Sequence, residues 1–272
     1  MADIPLYQLD AFSERVVGGN PAAICPLNAW IDEALMQSIA AENNLSETAF
    51  FVPAEVDGKD GYALRWFTPT AEIDLCGHAA LASAWVVFNR LAPGRTSVSF
   101  SSRSGTLTVE AEDDLLLMDF PVYARAAAAL PEVLAARFGA SPAEAFSGPN
   151  WMVVLYSAEQ VRALDPDMAA IASARPRCVS VTAPGGRGGD GDYADCDSVS
   201  RFSAPSYGIP EDPVTGSAHC TLTPYWAERL GRKRLEARQI SARGGVLICE
   251  DRGDRVGIGG QASLFVEGSI RV

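Results

Sequence analysis

The sequence predicts an α+β protein with two similar domains, each an antiparallel meander of strands around one central helix. Residues 77–88 are apolar on every side, which is typical of a helix buried in a core. Three runs of β-favouring residues follow in close succession at 97–100, 105–111 and 115–120, as expected for a meander. An internal repeat predicts the second domain.

The repeat couples the end of a strand to the start of a helix. Arg-Trp-Phe-Thr-Pro at 65–69 precedes Asp-Leu-Cys-Gly-His-Ala at 74–79, and Arg-Phe-Ser-Ala-Pro at 201–205 precedes Asp-Pro-Val-Thr-Gly-Ser-Ala at 212–218. Each half gives a strand, a loop with proline, an acidic residue and a helix that opens with small residues. The number of residues between the aromatic residue and the aspartate differs between the two halves, which indicates an insertion in the loop of one half. Two such halves predict a pseudo-twofold pair of domains with one cleft between them.

In the first half, periodicity and turn residues define the remaining elements. Residues 31–42 carry apolar residues at helical spacing and acidic residues in the first turn, so they are predicted to form an amphipathic helix. Asn43 and Asn44 end it. The other elements are a turn at 18–21 and strands at 6–12, 48–52 and 62–68, the last two closed by Pro53 and Pro69.

The domain junction is expected in the alanine-rich stretch 122–130, where the pattern weakens. The first domain then covers residues 1–121 and the second 122–262, and the final strand within 263–272 can return to the first domain. In the second half we predict helices at 131–138, 159–174 and 216–230, the last stopped by Gly231, and strands at 151–156, 178–182, 193–202, 237–240, 246–250, 255–258 and 263–266.

Composition excludes several classes of function. Lys and Arg number 22 against 34 Asp and Glu, a net charge of −12, so the chain offers no basic field to nucleic acid or an anionic membrane. The longest apolar stretch, 79–88, is far shorter than the roughly 20 residues of a spanning helix. The first residues show no signal-peptide pattern, and the six cysteines include no C-x-x-C pair. We therefore expect reduced thiols and a cytoplasmic location.

The scarcity of lysine and histidine limits the possible cofactors. Lys59 and Lys233, the only lysines, lie in turn-like surroundings, which argues against a Schiff base with pyridoxal phosphate. His78 and His219, the only histidines, rule out a multi-histidine metal site. We expect neither a metal nor a cofactor.

Two helix openings are candidate anion sites. Gly77 and His78 begin one helix, and Gly216 and Ser217 begin the other. Free N–H groups and the helix dipole attract an anion there, and small residues let a ligand approach the backbone. The alternative is that the small residues merely permit tight packing. Two openings in repeat positions, each preceded by an aspartate, favour a carboxylate-bearing ligand.

Two carboxylates are candidates for proton transfer. Glu47 stands where an apolar strand begins, and glutamate is costly to bury without a purpose. The alternative is a surface residue at a helix-to-strand turn. Asp212 lies between Pro210 and Pro213, which stiffen its loop. It is a candidate proton-transfer partner or amine ligand, and equally a turn or N-cap residue.

One motif match is rejected. Residues 186–191 fit the pattern G-x-G-x-x-G. A dinucleotide site needs a helix directly after the glycines, whereas a loop and a strand are expected there. We interpret the segment as a flexible glycine loop.

Several blocks together resemble the phenazine-biosynthesis PhzF-like family over essentially the whole chain. They are Gly-Gly-Asn-Pro-Ala at 18–22, Asn-Leu-Ser-Glu-Thr-Ala-Phe at 44–50, Asp-Leu-Cys-Gly-His-Ala at 74–79, Glu-Asp-Pro-Val-Thr-Gly-Ser-Ala-His at 211–219 and Gln-Ile-Ser-Ala-Arg-Gly-Gly at 239–245. The resemblance implies the diaminopimelate epimerase-like fold, in which two pseudo-symmetric domains each wrap a barrel-like sheet around a central helix.

The resemblance also implies an activity and a set of site residues. It implies a cofactor-independent isomerase that shifts a proton within a small carboxylate-bearing metabolite, and a homodimer, because members often pair. By motif match the implied catalytic residues are Glu47, His78, Asp212 and Ser217. The implied substrate-binding residues are Asn20, Gly77, Thr215 and Gly216.

Two alternative functions stay open. The same fold houses amino-acid epimerases and racemases that use one cysteine at each helix opening. Cys76 precedes Gly77 as the first would, but the second opening has no matching cysteine, and Cys220 comes a turn later. The other alternative is a non-catalytic small-molecule binding protein. Phe202-Ser203 stands where a second aromatic residue is expected, which weakens any transfer of the phenazine substrate.

Overall fold

The computed structural model describes residues 3–135 and 142–272, and its fold is α+β as predicted. Within these residues there are eighteen strands and six α-helices. The chain forms two compact units, Met1–Asp119 with Gly259–Val272, and Phe120–Ile258. The first unit is thus built from both ends of the chain. No helix of the described residues is long and apolar enough to cross a membrane.

The first unit is a sheet with alternating strand directions. Strand β1 pairs antiparallel with β2, β2 runs parallel to β3, β3 antiparallel to β4, β4 parallel to β6, and β6, β7 and β8 form a meander. The last strand, β18, pairs with β1. In chain order the elements are β1 (Asp3–Ala11), β2 (Asn20–Pro26), α1 (Glu33–Asn43), β3 (Glu47–Val56), β4 (Lys59–Phe67), β5 (Glu72–Ile73), α2 (Gly77–Val86), β6 (Ser97–Ser102), β7 (Gly105–Glu112), β8 (Leu115–Pro121) and, at the end of the chain, β18 (Ala262–Arg271).

The second unit repeats this order of pairings. Strand β10 is antiparallel to β11, β11 parallel to β12, β12 antiparallel to β13, β13 parallel to β15, and β15 antiparallel to β16. Its elements are β9 (Ala126–Ala127), α3 (Glu132–Ala135), β10 (Glu144–Ser147), β11 (Trp151–Val154), α4 (Ala158–Ala163), α5 (Met168–Ser173), β12 (Val179–Pro184), β13 (Ser198–Ala204), β14 (Ile209–Asp212), α6 (Gly216–Leu230), β15 (Arg234–Gln239), β16 (Gly245–Asp251) and β17 (Arg255–Gly260).

The matching pairings confirm the internal repeat. In each unit a long strand is followed by a short antiparallel one and then by the helix with the small residues, β4–β5–α2 and β13–β14–α6. An arginine of the long strand binds a glutamate of the short strand in both. Arg65 Nε lies 2.7 Å from Glu72 Oε1, and Arg201 Nε lies 2.5 Å from Glu211 Oε1.

The two helices of the repeat are central helices, as predicted. Eight of the ten residues of α2 are buried, and the helix packs on β1, β2 and β3. Helix α6 packs on β15 and β16 and ends at Gly231, whose φ of 64° is a left-handed cap. The starts of both helices, at Gly77 and Gly216, thus lie at the ends of buried elements.

Two strands differ from the prediction in the first unit. Asn20 and Pro21, predicted as part of a turn, begin β2, because the turn closes earlier, at Gly19, whose φ of 58° favours glycine. Strand β3 continues through Pro53 to Val56. The pairing of β2 with β3 ends at Phe51, and beyond it β3 continues beside β4. Pro53 has no N–H to donate, but at this position it interrupts no pairing with β2.

Three elements of the second unit also differ. The predicted helix at 159–174 is two helices, α4 and α5, because Pro166 disfavours helical geometry just before it. The strand predicted from residue 193 begins at Ser198, since Tyr193 belongs to the preceding loop and accepts the Gly186 N–H at 2.8 Å. Of the helix predicted at 131–138, the structure shows a helix at Glu132–Ala135 and Pro131 just before it, and residues 136–138 lie outside the described residues.

Candidate functional site

Glu47, Cys76 and His78 meet where strand β3 and helix α2 begin. Glu47 is the first residue of β3, Cys76 is the N-cap of α2, and His78 is its second residue. His78 Nε2 lies 3.0 Å from Glu47 Oε2, and Cys76 Sγ lies 3.4 Å from His78 Nδ1. All three side chains are buried, with at most 7% of each residue exposed. A carboxylate, an imidazole and a thiol therefore share one small polar pocket.

The carboxylate of Glu47 is paired with the imidazole in the buried cluster. His78 Nε2 lies 3.0 Å from Glu47 Oε2, and a hydrogen bond between the two side chains is among the causes that raise the pKa of His78. Beyond this contact, Glu47 Oε2 has no hydrogen-bond partner among the described residues. A lone pair of this oxygen is therefore still available to a proton or to a ligand.

The electrostatics of the cluster favour a charged histidine and a neutral thiol. Burial, and after it the Glu47 carboxylate, raises the pKa of Cys76 to about 11, so the thiol is protonated near neutral pH. Burial alone would lower the pKa of His78, but its electrostatic interactions and hydrogen bonds with Cys76 and Glu47 outweigh burial and raise that pKa well above its ordinary value. With the thiol neutral, Glu47 is the charge that holds the proton on His78.

The start of α2 is open to an anion. Cys76 makes no side-chain hydrogen bond to the helix N-terminus, so the first N–H groups lack a side-chain cap. Gly77 is half-buried there. Asn20, fully buried at the start of β2, accepts a hydrogen bond from Ser46 Oγ at 3.2 Å, one residue before Glu47. Strand β2 pairs Ala22 with Glu47, which places Asn20 near the carboxylate.

The second helix opening carries a network of its own. Thr215 is the N-cap of α6, and its Oγ1 donates to Asp212 Oδ2 at 2.5 Å. Gly216 is buried behind it, whereas Ser217 is exposed. His219 Nδ1 lies 2.9 Å from the Thr215 carbonyl oxygen, and burial lowers the pKa of His219 to about 4. His219 is thus a neutral, structural residue.

Gln239 organises this second opening and was missed in the sequence. Its Nε2 donates to the Asp212 carbonyl at 2.7 Å and to Thr215 Oγ1 at 3.1 Å, while its Oε1 accepts from the Thr215 N–H at 2.9 Å. Because Gln239 donates to the hydroxyl, Thr215 must donate its own proton to Asp212. A signal was present: Leu235, Ala237 and Gln239 share the buried face of β15, and a buried amide needs partners.

The sequence-predicted site residues thus fall into two groups. Asn20, Glu47, Gly77 and His78 belong to the first unit. Asp212, Thr215, Gly216 and Ser217 belong to the second. Within each group the structure brings the residues together at the start of the central helix. Cys76 joins the first group and Gln239 the second.

We predict that Gln239→Leu destabilises the second opening. The substitution keeps the volume but leaves the Thr215 N–H and the Asp212 carbonyl without their buried partner, at a cost of about 2–3 kcal/mol in the free energy of unfolding. Urea denaturation measures it. Arg238→Leu, on the neighbouring half-exposed position of β15, is the control. Equal stability of Gln239→Leu and the wild type would contradict the role assigned to the amide.

Glu47, Cys76 and His78 are also the residues most suited to hold a metal ion. One ligand atom from each lies within 4.8 Å of the others, and within residues 3–135 and 142–272 this is the one such buried group. Nitrogen, sulfur and oxygen donors of this kind suit zinc. The expectation of no metal was based on the number of histidines, whereas this group has one histidine together with a cysteine and a glutamate.

Comparisons with known proteins identify the family. The sequence profile described as "Phenazine biosynthesis-like protein" matches residues 9–268. An uncharacterized isomerase of Pseudomonas aeruginosa is 46% identical over 271 residues, covering 99% of this chain and 100% of that protein. A crystal structure of a PhzF-family phenazine biosynthesis protein from Enterococcus faecalis is 43% identical, covers 100% of both chains and superposes with a TM-score of 0.91.

A structure with low sequence identity shares only the fold. A hydroxyproline epimerase from Agrobacterium vitis covers 98% of this chain and 92% of its own, with 10% identity and a TM-score of 0.62. The diaminopimelate epimerase-like architecture is therefore confirmed together with the resemblance noted in the motifs. The chain belongs to the phenazine biosynthesis-like, or PhzC–PhzF, family.

Proposed function

We propose that this protein is an isomerase that shifts a proton within a small carboxylate-bearing metabolite, with Glu47 as the proton carrier. The observation that carries the proposal is the Glu47 carboxylate, which is buried, lies 3.0 Å from His78 and has an oxygen with no further partner in the described part of the chain. Relatives that span the whole chain are named isomerases, which supports the class of reaction.

The proposed step needs one base that becomes an acid. Glu47 removes a proton from a carbon next to the substrate carboxylate or double bond, and the electron pair of the broken C–H bond moves into the carbon framework. The proton on Glu47 exchanges with water, and Glu47 then delivers a proton to a different carbon, so the product is an isomer that carries a hydrogen from solvent. The imidazole of His78, whose pKa is raised well above its ordinary value, lies 3.0 Å from Glu47 Oε2 and stabilises negative charge that develops beside it during the transfer.

The proposed ligand is an anion for a structural reason. A chain with a net charge of −12 repels anions at long range, so a carboxylate needs a local device to bind. The uncapped start of α2 at Gly77 supplies N–H groups, and Asn20 adds a buried amide. We assign to Asp212, Thr215, Gly216 and Ser217 the catalytic and substrate-binding roles that the family resemblance implies. Pairing of two chains stays a prediction, which light scattering at micromolar concentration tests.

A two-thiol epimerase is disfavoured by the second opening. Thr215 occupies the N-cap of α6, where α2 has Cys76, and its hydroxyl is bonded to Asp212. Cys220 is buried further along α6, and burial raises the pKa of its thiol to about 12. The pair of matched thiols that such chemistry uses is therefore missing from the two helix starts.

Hydrogen exchange with solvent tests the proposal. The enzyme, freed of metals by chelation, is incubated in heavy water with a panel of amino-cyclohexadiene carboxylic acids, and the recovered acids are examined by mass spectrometry and NMR. We expect deuterium at a carbon that does not exchange without enzyme, together with an isomer of the starting acid. Tight binding of a panel member with no deuterium uptake would indicate a binding protein instead.

A further inference from the structure

We propose that the cluster of Glu47, Cys76 and His78 is a binding site for one thiophilic divalent cation, such as zinc, and that a bound ion inhibits the proton transfer. The first part stands on the geometry of the cluster. The second part rests on the proposed function, because it requires that Glu47 carry the proton. The ion would act as an inhibitor, since it occupies the carboxylate that the reaction needs.

The donor atoms already lie near the positions that a zinc ion requires. Tetrahedral coordination with a Zn–S bond of about 2.3 Å and Zn–N and Zn–O bonds of about 2.0–2.1 Å separates the donors by roughly 3.4–3.6 Å. Cys76 Sγ lies 3.4 and 4.0 Å from the two nitrogens of His78, and His78 Nε2 lies 3.0 Å from Glu47 Oε2. The separations are those of donors around one ion, but Sγ lies beside the imidazole ring, so rotation of the Cys76 and His78 side chains has to direct the donors onto the ion.

The charges balance at the buried site. Binding of the ion releases the proton of the Cys76 thiol and the extra proton of His78 to solvent. The thiolate and the Glu47 carboxylate then carry two negative charges and a neutral His78 adds none, so a divalent cation makes the cluster neutral and leaves no uncompensated buried charge. The ion also replaces the imidazolium as the partner of Glu47 Oε2. The dipole of α2 opposes a cation, but this effect is small beside three coordination bonds.

The coordination leaves one position open. Three protein ligands hold the ion, and a water molecule or the carboxylate of a substrate completes the tetrahedron. Substrate can therefore still approach the bound ion. Glu47 then takes a proton much less readily, because the cation on one oxygen lowers the basicity of the whole carboxylate.

Cobalt provides a probe that needs no substrate. The full-length protein without an affinity tag is freed of metals and titrated with cobalt(II), and its absorption spectrum is recorded. We expect roughly one ion per chain, a near-ultraviolet band from charge transfer between thiolate and cobalt, and visible bands typical of tetrahedral coordination. Zinc should displace the cobalt and abolish these bands.

Three variants decide which residues bind the ion. Cys76→Ser should lose the thiolate band, whereas Cys178→Ser, at a more exposed cysteine outside the cluster, should keep it. Glu47→Gln should retain the band but bind cobalt more weakly. A thiolate band that survives in folded Cys76→Ser, or no band in the wild type, would overturn the site. If Cys76→Ser does not fold, an unchanged cobalt affinity of Glu47→Gln overturns it.

The two proposals can fail separately. Deuterium uptake by the metal-free enzyme without a cobalt band leaves the isomerase and removes the metal site. A cobalt band without deuterium uptake leaves the metal site and removes the isomerase. If both are observed, stoichiometric zinc should stop the uptake, and uptake that continues at full zinc occupancy would contradict inhibition.

Discussion

Glu47→Gln should abolish most of the proton transfer while leaving the fold intact. Glutamine keeps the shape of the side chain but cannot accept a proton, and general acid–base catalysis contributes about 10²–10⁴-fold to a rate. As the proposed sole proton carrier, Glu47 should account for the upper part of that range. The rate of deuterium uptake into an active panel acid measures the loss.

Ligand affinity and stability separate this outcome from a structural effect. Affinity for the acid should change little, because the start of α2 and not Glu47 is proposed to bind the carboxylate. Glu47→Gln also breaks the buried ion pair with His78, so the melting temperature should fall, and uptake is measured at a temperature at which the variant is folded. Glu55→Gln, an exposed glutamate on the same strand, is the matched control. Near-normal uptake by a folded Glu47→Gln protein would remove Glu47 from the mechanism.

Trp226→Ala should produce the largest loss of stability. Trp226 is 1% exposed in α6, packs edge-to-face with Tyr225, and donates its indole N–H to Thr182 Oγ1 at 3.0 Å. Thr182 in turn donates to the Val199 carbonyl at 2.7 Å, so the indole joins the helix to two strands. Truncation of a buried tryptophan costs about 3–5 kcal/mol. Denaturant unfolding followed by circular dichroism measures the change.

A graded substitution tests the assignment to packing. Trp226→Phe keeps most of the apolar volume and loses the hydrogen bond, so its cost should be roughly 1–2 kcal/mol. Tyr207→Ala removes an aromatic residue that is 72% exposed in the same unit and should have little effect. A stability of Trp226→Ala equal to that of Tyr207→Ala would show that α6 is not the core helix of its unit.

Local patterns predicted the elements that carry the candidate site residues. Glu47 begins a strand, Gly77 and Gly216 begin central helices, and Gly231 ends α6, as the sequence indicates. These features depend on neighbouring residues: an apolar run after a single carboxylate, and glycine at positions that need it. The parallel pairings, such as β2 with β3 and β4 with β6, were not predicted from the antiparallel meander.

Contacts across the sheet could not be read in the same way. The meeting of Glu47 with Cys76 and His78 depends on where α2 enters relative to β3, which no local spacing encodes. Strand β2 was not predicted because Asn20 and Pro21 favour turns. In the fold, pairing with the parallel strand β3 overrides that preference. Gln239 was missed for a related reason, since its partners lie on a different loop.

The pairing of β1 with β18 has a consequence for the order of folding. Asp3 faces Arg271 and Ala11 faces Ala262, so β1 cannot form this pairing until β18 has been synthesised. The second unit is continuous in sequence and precedes β18, so it leaves the ribosome before the first unit is complete. The usual order, in which the N-terminal part folds first, is therefore reversed for the final step. Until β18 emerges, the edge of β1 stays without that partner, and it is then that the nascent chain is most open to pairing with another chain.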